Sequence, residues 1–272
     1  MNAGQIFMPS GQNEGTLTKL RLDNTTCSGD SVAASLVEGV IRAAEAEGIA
    51  LQQSLILLGL DVANLANATQ RIELATFREL LRIIAELSHD ESIGIRMGHH
   101  LSISSFNALG HAAASSKTLL DALQLIPQFE PITMTVGRTE ILQEQEYVTV
   151  CWSMKSADYI EILEDVFLSC WLNLAKLLTG TSDLNVEIGF THAKAADVSP
   201  WQHILGCTLL FNQDVAAIKF NKSLLRIPIQ KPDPFLHKIM TKEAEGLTLA
   251  LNDSLSSQIE LWLDSQLESG EP

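Results

Sequence analysis

Four histidines lie close together in the sequence and are the first residues to consider for metal chemistry. His89, His99, His100 and His111 supply imidazole nitrogens, which are common metal ligands. None of them belongs to an HExxH segment, in which two histidines one helical turn apart hold zinc and the glutamate serves as general base. The adjacent pair would point about 100° apart on a helix, so sharing one ion is awkward. We therefore predict hydrogen-bonded or surface histidines and no metal site.

Three carboxylates are the next candidates, because paired acids can act as general acid and base. Glu161, Glu164 and Asp165 crowd the start of a long apolar segment. Acidic residues in that position also suit the dipole of a helix N-terminus, and we favour this interpretation. The chain has no GxSxG elbow, no phosphate loop ending in Gly-Lys-Ser/Thr and no GxGxxG segment. We predict no catalytic residues, no cofactor and no enzymatic activity, although catalytic groups need not be neighbours in sequence.

The charge balance argues against contact with nucleic acid by this polypeptide. Lys and Arg number 18 against 33 Asp and Glu, a formal net charge of -15 over 272 residues. Nucleic-acid binders need cations that displace counterions from phosphates. From Asp233 to the end, only Lys238 and Lys242 carry a positive charge. The acidic C-terminal end is therefore the region least suited to bind DNA.

Composition also predicts the compartment. Hydrophobic residues make up 46% of the chain, and no run approaches the roughly 18 apolar residues of a membrane helix. The start of the chain lacks the charged-then-apolar pattern of a secretory signal. The four cysteines lack CxxC spacing, which favours reduced structural thiols. We expect a soluble, cytoplasmic protein without a membrane partner.

Helical periodicity dominates the first half of the chain. Apolar residues recur at three- and four-residue steps over 31–47, behind a capping-type Asp30 and before Gly48. Residues 51–58 predict a short helix that stops at Gly59. A capping segment at 69–73 precedes a third predicted helix, which again has one apolar face. Two more helices are predicted at 105–114 and 117–130. A helical N-terminal subdomain is predicted.

The second half predicts a sheet around one apolar helix. Alternation at 132–136 and 147–152 around the polar turn 143–146 predicts a β-hairpin. Residues 159–178 form a strongly apolar helix, predicted to be central and buried. Short strands follow at 186–190, 209–211 and 217–220, with a helix at 201–205 and a long helix from 234 to about 267. The fold class is α+β, with a small mixed or antiparallel sheet packed on the central helix.

Aromatic residues distributed over these elements suit either core packing or a pocket, since ligand sites are commonly aromatic-lined concavities between elements. A cavity is expected between the hairpin, the central helix and the Phe106 region. The candidate lining residues are Phe106, His111, Phe129, Trp152, Tyr159 and Trp171.

The last helix carries an apolar stripe that can pack on its own domain or pair with another chain. Its members are Leu247, Leu251, Leu255, Ile259 and Trp262. Packing on the domain is favoured, with homodimerisation through this or a neighbouring helix as the alternative, because regulatory modules often act as two-fold dimers.

Six segments occur in a characteristic order along the chain. They are GIRMG at 94–98, FNALGHA at 106–112, SSKTLLDAL at 115–123, FTH at 190–192, LGCTLLF at 205–211 and AIKF at 217–220. In order and spacing, these segments resemble the N-terminal effector domain of a branch of AraC-type transcription regulators. The resemblance extends from about Ser31 to about Leu263. It implies a small-molecule effector, and the customary arabinose-binding label implies no sugar specificity within this branch.

The resemblance also implies the domain layout. Residues 1–30 are expected to be a flexible arm, 31–267 the effector-binding and oligomerisation domain, and 268–272 the start of a linker to a DNA-binding domain. Such regulators continue into two helix-turn-helix units, so DNA contact is expected only through that missing domain.

The leading hypothesis is a small-molecule-sensing, dimerising domain. The alternative is a ligand-independent protein-interaction module, either an orphan or a truncated sensor relative. An enzyme with nonlocal catalytic residues is the weakest hypothesis.

Overall fold

The computed structural model describes residues 29–65, 69–154 and 160–269, with side-chain positions in the last helix up to residue 253 and at 256. The described part begins with a helical subdomain, as the periodicity predicts. Its helices are α1 (Ala34–Ala46), α2 (Gln52–Leu57), α3 (Val62–Leu65), α4 (Leu74–Ser88) and α5 (Ile93–His100). Left-handed glycines end the first two predicted helices, at Gly48 and Gly59. The predicted arm, 1–30, lies almost entirely outside the described residues.

A two-stranded antiparallel sheet joins the start of this subdomain to its middle. It consists of β1 (Ser31–Ala33) and β2 (Arg71–Glu73). The two predicted capping segments, at Asp30 and at 69–73, are therefore wrong in detail. The N-cap residue of α1 is Ala33, which makes no side-chain capping bond, and Ala34 N donates to Gln70 O at 3.0 Å. This pairing places Ser31 opposite Glu73 and Ala33 opposite Arg71, far apart in sequence, so local sequence pattern cannot predict it.

Two helices and the short 3-10 helix Ile103–Phe106 form the next layer. They are α6 (Asn107–Ala114) and α7 (Leu119–Thr133). Thr118 and Asp121 make a reciprocal capping box that begins α7. The strand predicted at 132–136 is wrong, since α7 continues past Pro131 to Thr133. The guanidinium of Arg71 donates to the carbonyl of Ile132 at 2.8 Å, and such a cation stabilises the last carbonyls of a helix.

The predicted hairpin exists with a shifted first strand. Its strands are β3 (Gly137–Gln143) and β4 (Tyr147–Met154), joined at the polar turn. Three later strands, β5 (Glu187–Gly189), β6 (Thr208–Leu210) and β7 (Ala216–Asn221), complete a five-stranded sheet in the order β3-β4-β7-β5-β6. Only the β5–β6 pair is parallel. The helix α9 (Ser199–Leu205) lies between β5 and β6 in sequence, as predicted.

The central helix α8 (Glu161–Thr179) lies between the helical subdomain and the sheet. Leu168 and Leu172 face the sheet core, whereas Val166 and Cys170 join the core of the helical subdomain. On that side α5 packs closely, because a Cβ atom added at Gly94 would lie 2.6 Å from Asp165 Cβ. Burial of apolar side chains on both sides explains why apolar residues cover much of this helix.

A 36-residue helix, α10 (Pro234–Ser269), ends the described chain. Asp233 caps it by accepting from the backbone N–H groups of Phe235 and Leu236 at 3.0 and 2.9 Å. Its first half lies on α6 and α7, where Ala244 is fully buried. Within the described residues, no helix is long and apolar enough to cross a membrane.

Candidate functional site

An apolar cavity of about 80 Å³ lies between α6, α7 and α8. The expectation placed a cavity between the hairpin, the central helix and the Phe106 region, whereas the described lining contains Phe106 and residues of α8 but none of β3 or β4. Phe106 lines it next to α6, Phe167 and Trp171 contribute the α8 wall, and Met134 lies beside the start of the hairpin. Apart from the Trp171 indole, two of the described lining side chains are polar, Glu130 and Thr133. The cavity is thus an apolar chamber with one polar corner.

A second cavity of about 110 Å³ adjoins the first and extends toward the sheet. The two share a wall made of Ala113, Ile126, Trp171, Leu174 and Leu178. Beyond this wall, the second cavity is lined by Val150, Ile218 and Phe220 of the sheet among other apolar residues. The indole of Trp171 supplies the one side-chain N–H in the described lining. The two cavities therefore lie next to each other along one side of α8.

Glu130 lies at the polar corner of the first cavity and accepts three hydrogen bonds. Its Oε2 accepts from the backbone N–H of Thr139 at 2.6 Å, and its Oε1 accepts from Thr139 Oγ1 at 2.9 Å and Trp152 Nε1 at 3.1 Å. Burial raises the pKa of Glu130, although these hydrogen bonds act in the opposite direction. A Cβ atom at Gly137 would lie 2.9 Å from Trp152 Nε1, so glycine is needed there for the strand to approach.

Thr133 is the other polar group at this corner. Its side-chain oxygen is buried and has no hydrogen-bond partner among the described residues. The residue is only 4% exposed and lines the first cavity. A buried hydroxyl without a partner costs free energy, so such a group calls for an explanation.

The structure brings together only part of the predicted site. Phe106 and Trp171 line the first cavity. Trp152 lies behind the wall, with its ring 5.0 Å from that of Phe167, and Phe129 packs in the cluster beneath α10. His111 is exposed on α6, and Tyr159 lies outside the described residues.

Sequence reasoning missed Glu130 and Thr133. One signal was available, because Glu130 follows Ile126 by four residues and so lies on the apolar face of α7. A carboxylate on such a face is rarely buried without partners.

A second buried polar cluster joins the start of α8 to the segment after β5. Glu164 accepts from Thr191 N at 2.7 Å and from Thr191 Oγ1 at 2.6 Å, while Asp165 contacts His192 Nε2 at 3.1 Å. The helix-dipole interpretation therefore does not account for these two acids, which are 1% and 4% exposed. Each has its own partner from the FTH segment, which favours a structural role over acid–base chemistry.

Both pKa values of this pair are raised above their ordinary values. Burial raises the pKa of Asp165 to about 6, against the lowering effect of His192. Burial lowers the pKa of His192, but the hydrogen bond and charge of Asp165 outweigh it and raise that pKa to about 9. The imidazolium form is therefore favoured at neutral pH.

The histidines considered first do not converge. His100 Nε2 lies 2.7 Å from Glu47 Oε1, and Arg96 Nε donates to the other oxygen of the same carboxylate at 2.6 Å. Across the described ranges, no group of three or more His, Cys, Asp or Glu side chains is placed to hold a metal ion.

Comparisons with known proteins place this fold in a family. The family described as "Arabinose-binding domain of AraC transcription regulator, N-term" matches residues 48–229. The chain belongs to this family of transcription-regulator domains. The family and the structural neighbour below are transcriptional regulators and not enzymes.

One similar solved structure is described as "Crystal structure of transcriptional regulator CdpR from Pseudomonas aeruginosa". It aligns with 60% of this chain and 54% of that chain, at 17% sequence identity and a TM-score of 0.51. The likeness shows a shared fold, and this chain spans about half the length of that regulator. A comparison with curated proteins gives no match.

Proposed function

We propose that this chain is the small-molecule-sensing and dimerising domain of an AraC-type transcription regulator, and that it controls DNA-binding units through α10. One observation carries the proposal: α6 both lines the cavity and supports α10. Leu109, Gly110 and Ala113 line the cavity. Ala108, Leu109 and Ala112 belong to the cluster that contains Ala244 of α10, and Ala113 packs against it, so Leu109 and Ala113 contribute to both. The proposal includes a cytoplasmic location for the domain.

Hydrogen bonds strengthen the link between α6 and α10. His237 Nδ1 lies 2.9 Å from Ala112 O, and Asp233 N donates to Ser115 O at 3.1 Å. A ligand that displaces α6 therefore acts directly on the first turns of α10. Ligand control further requires that the ligand bind two arrangements of α6 with unequal affinity.

The segment that leads into α10 is also attached to the opposite cavity wall. Gln230 N donates to the carbonyl of Leu178 at 2.8 Å, and the side chain of Leu178 lines both cavities. The entry to α10 is thus attached to the helices on both sides of the cavity. This arrangement supports transmission of a ligand-induced movement to the helix.

Dimerisation is supported by exposed apolar side chains on α10. Phe235, Ile239 and Leu249 are 76%, 43% and 65% exposed. Intervals of four and ten residues place them along one side of a helix that repeats about every 3.6 residues. Leu247 and Leu251 of the predicted stripe are half-buried, and the side chains of Leu255, Ile259 and Trp262 lie outside the described residues.

Ligand sensing is tested by a thermal-shift screen of metabolites on the wild type and on Ala113→Phe, which places a ring in the wall shared by both cavities. At least one compound is expected to raise the melting temperature of the wild type but not of the variant. Ala85→Phe, at an exposed position of α4, is the control and should respond like the wild type. A screen in which no compound stabilises the wild type would count against sensing.

The same exposed side chains favour a second candidate, the ligand-independent interaction module. Light scattering on the wild type and on Phe235→Ser/Ile239→Ser separates the parts of the proposal. A dimer that the double substitution dissociates supports pairing through α10, with the exposed Glu245→Ser as the matched control. A dimer together with a failed ligand screen would favour the second candidate.

A further inference from the structure

We infer that the second cavity binds a compact, wholly apolar molecule, such as a simple arene or a small hydrocarbon. The inference rests on the proposed function, because it names the chemical class of the effector. It depends on the chemistry and the volume of one cavity, and the ligand does not cross the wall shared with the first.

The described lining of the second cavity is apolar on every side. Helix α7 contributes Leu119, Ala122 and Leu123, and helix α8 contributes Leu172 and Ala175 in addition to the shared wall. The sheet supplies the opposite side, through one residue of β4 and two of β7. Because these elements are regular, their backbone groups bond to one another within the helices and between the strands. The cavity therefore offers a ligand almost no polar partner.

The ionisable groups next to this cavity bond to other parts of the protein. Glu130, one helical turn after the lining residue Ile126, accepts its hydrogen bonds from residues of the hairpin. Lys176 follows the lining residue Ala175 on α8, and its Nζ donates to the carbonyl of Leu205 at 2.8 Å. A charged ligand would lose its bonds to water and gain no counter-ion, which is unfavourable.

A neutral hydrogen-bond donor is disfavoured for a related reason. The indole N–H of Trp171 can donate but cannot accept. A hydroxyl or an amine that enters the cavity thus finds no side-chain acceptor in the described lining, and a buried donor without a partner costs free energy. A molecule without such groups avoids this cost.

The volume of the second cavity fits a molecule of this class. About 110 Å³ is several times the roughly 10–15 Å³ that one water molecule needs, but a bound water also needs about two to four polar partners. The lining does not supply them. An empty apolar cavity lowers stability in proportion to its volume, because the side chains around it lack contacts on one side. An apolar guest restores these contacts.

An apolar lining is sufficient for binding. An engineered cavity of about 150 Å³ lined by leucine, isoleucine and phenylalanine stays dry and binds benzene or xenon. The second cavity has the same kind of lining and a somewhat smaller volume, so we expect a guest of about six carbon atoms or fewer. Entry requires a transient separation of the surrounding elements, as in other local openings of folded proteins.

Benzene, phenol and benzoate test the ligand class, because they share one ring and differ in a single group. In titration calorimetry of the wild type, benzene should bind, phenol should bind at least about tenfold more weakly, and benzoate should not bind. The weaker binding of phenol follows from a hydroxyl that finds no acceptor. Phenol or benzoate binding as tightly as benzene, or no binding of benzene, would overturn the inference.

Ala122→Leu locates the binding, since Ala122 lines the second cavity and not the first. The larger side chain fills part of the cavity, so benzene binding should fall at least about tenfold. Ala175→Val fills the same cavity from α8 and tests the site if Ala122→Leu does not fold. Ala85→Leu, at an exposed position of α4, is the control and should bind benzene like the wild type. Unchanged benzene binding in both cavity variants would refute the site.

The two proposals fail in different ways. If a polar metabolite stabilises the wild type and Ala113→Phe abolishes the effect, while benzene does not bind, the ligand class is wrong and sensing stands. If benzene binds in the second cavity but changes neither the oligomeric state nor the hydrogen exchange of α10, the site stands and its role in sensing is wrong.

Discussion

The protein buries carboxyl groups at two places that differ in what surrounds them. Glu130 meets neutral donors and borders a cavity, whereas Asp165 pairs with a histidine in a closely packed region. There Gly94 of α5 approaches Asp165, and the His192 ring lies 5.2 Å from Phe190 and 5.8 Å from Phe211. Burial of an acid is therefore not sufficient to mark a ligand site. A cavity beside the acid separates Glu130 from Asp165.

The comparison also distinguishes residues whose loss should lower folding stability from residues whose loss should leave stability nearly unchanged. The Asp165–His192 pair links α8 to the segment after β5, so its loss should affect folding first. The Glu130 corner combines a satisfied acid with a hydroxyl that has no partner in the described part of the chain, so its members should differ in their effect on stability.

The largest effect is expected for Asp165→Ala, which leaves His192 buried without its charge partner. Breaking one side of such a pair should lower the free energy of unfolding by about 3 kcal/mol, measured by urea denaturation. The double variant Asp165→Ala/His192→Phe should lose less than the sum of the two single changes. Additive losses would show that the two side chains do not interact.

The same pair predicts a pH dependence. The pKa of His192 rises from 6.5 to about 9 on folding, so the folded state binds a proton more tightly. Its stabilising contribution is complete below about pH 6.5 and is lost as the pH rises through about 9, by about 2 kcal/mol after allowance for solvent screening.

Asp165 adds a dependence of the same sign at lower pH. Its pKa rises from 3.8 to about 6 on folding, so stability falls as the pH rises across that range. Denaturation midpoints between pH 4 and 9 measure both windows. His192→Phe should flatten the profile above pH 6.5, and an unchanged slope in that variant would refute the assignment.

Trp152→Phe should have an intermediate effect at the other site. It removes one of the three donors to Glu130 and should destabilise the fold by about 1.5 kcal/mol, a typical value for a bond to a charged group. Trp171→Phe enlarges the cavity without removing a bond to Glu130 and is the matched comparison. Equal losses in chemical denaturation would mean that the indole bond contributes little.

The smallest effect is expected for Thr133→Val. Its hydroxyl lacks a partner in the described part of the chain, so replacement should change the free energy of unfolding by less than about 0.5 kcal/mol or raise it. Thr139→Val removes a hydroxyl that bonds to Glu130 at 2.9 Å and should cost about 1 kcal/mol. A greater loss for Thr133→Val than for Thr139→Val would reverse the proposed roles of the two threonines.

Helices and turns that depend on short stretches of sequence could be predicted. The helix at 159–178, the turn of the hairpin and the glycine stops at Gly48 and Gly59 depend on periodicity and backbone preference within a few residues, and the structure places them within one or two residues of the prediction. The end of α7 was not predictable, because Arg71 stabilises it from 61 residues away. Propensity alone favoured a strand after Pro131.

The residues of the candidate site likewise fall into those that local sequence predicts and those that it does not. Aromatic content and the position of α8 were enough to expect a cavity near Phe106 and Trp171, and both residues line it. Phe129 and His111 lie on other faces of their helices, where local sequence does not distinguish cavity from core or surface. Glu130 and Thr133 acquire their roles only when β3 and β4 bring Thr139 and Trp152 to α7.

The sequence by itself determined the α+β class, the acidic charge and the order of the elements, because these follow from composition, periodicity and spacing along the chain. The family was indicated separately, by the resemblance of several segments to known regulators. The tertiary structure alone decided which acids are buried and which of them borders a cavity. It also decided that α6 lies between the cavity and α10. Such features depend on contacts between residues far apart in sequence, and those contacts form only when the elements pack together.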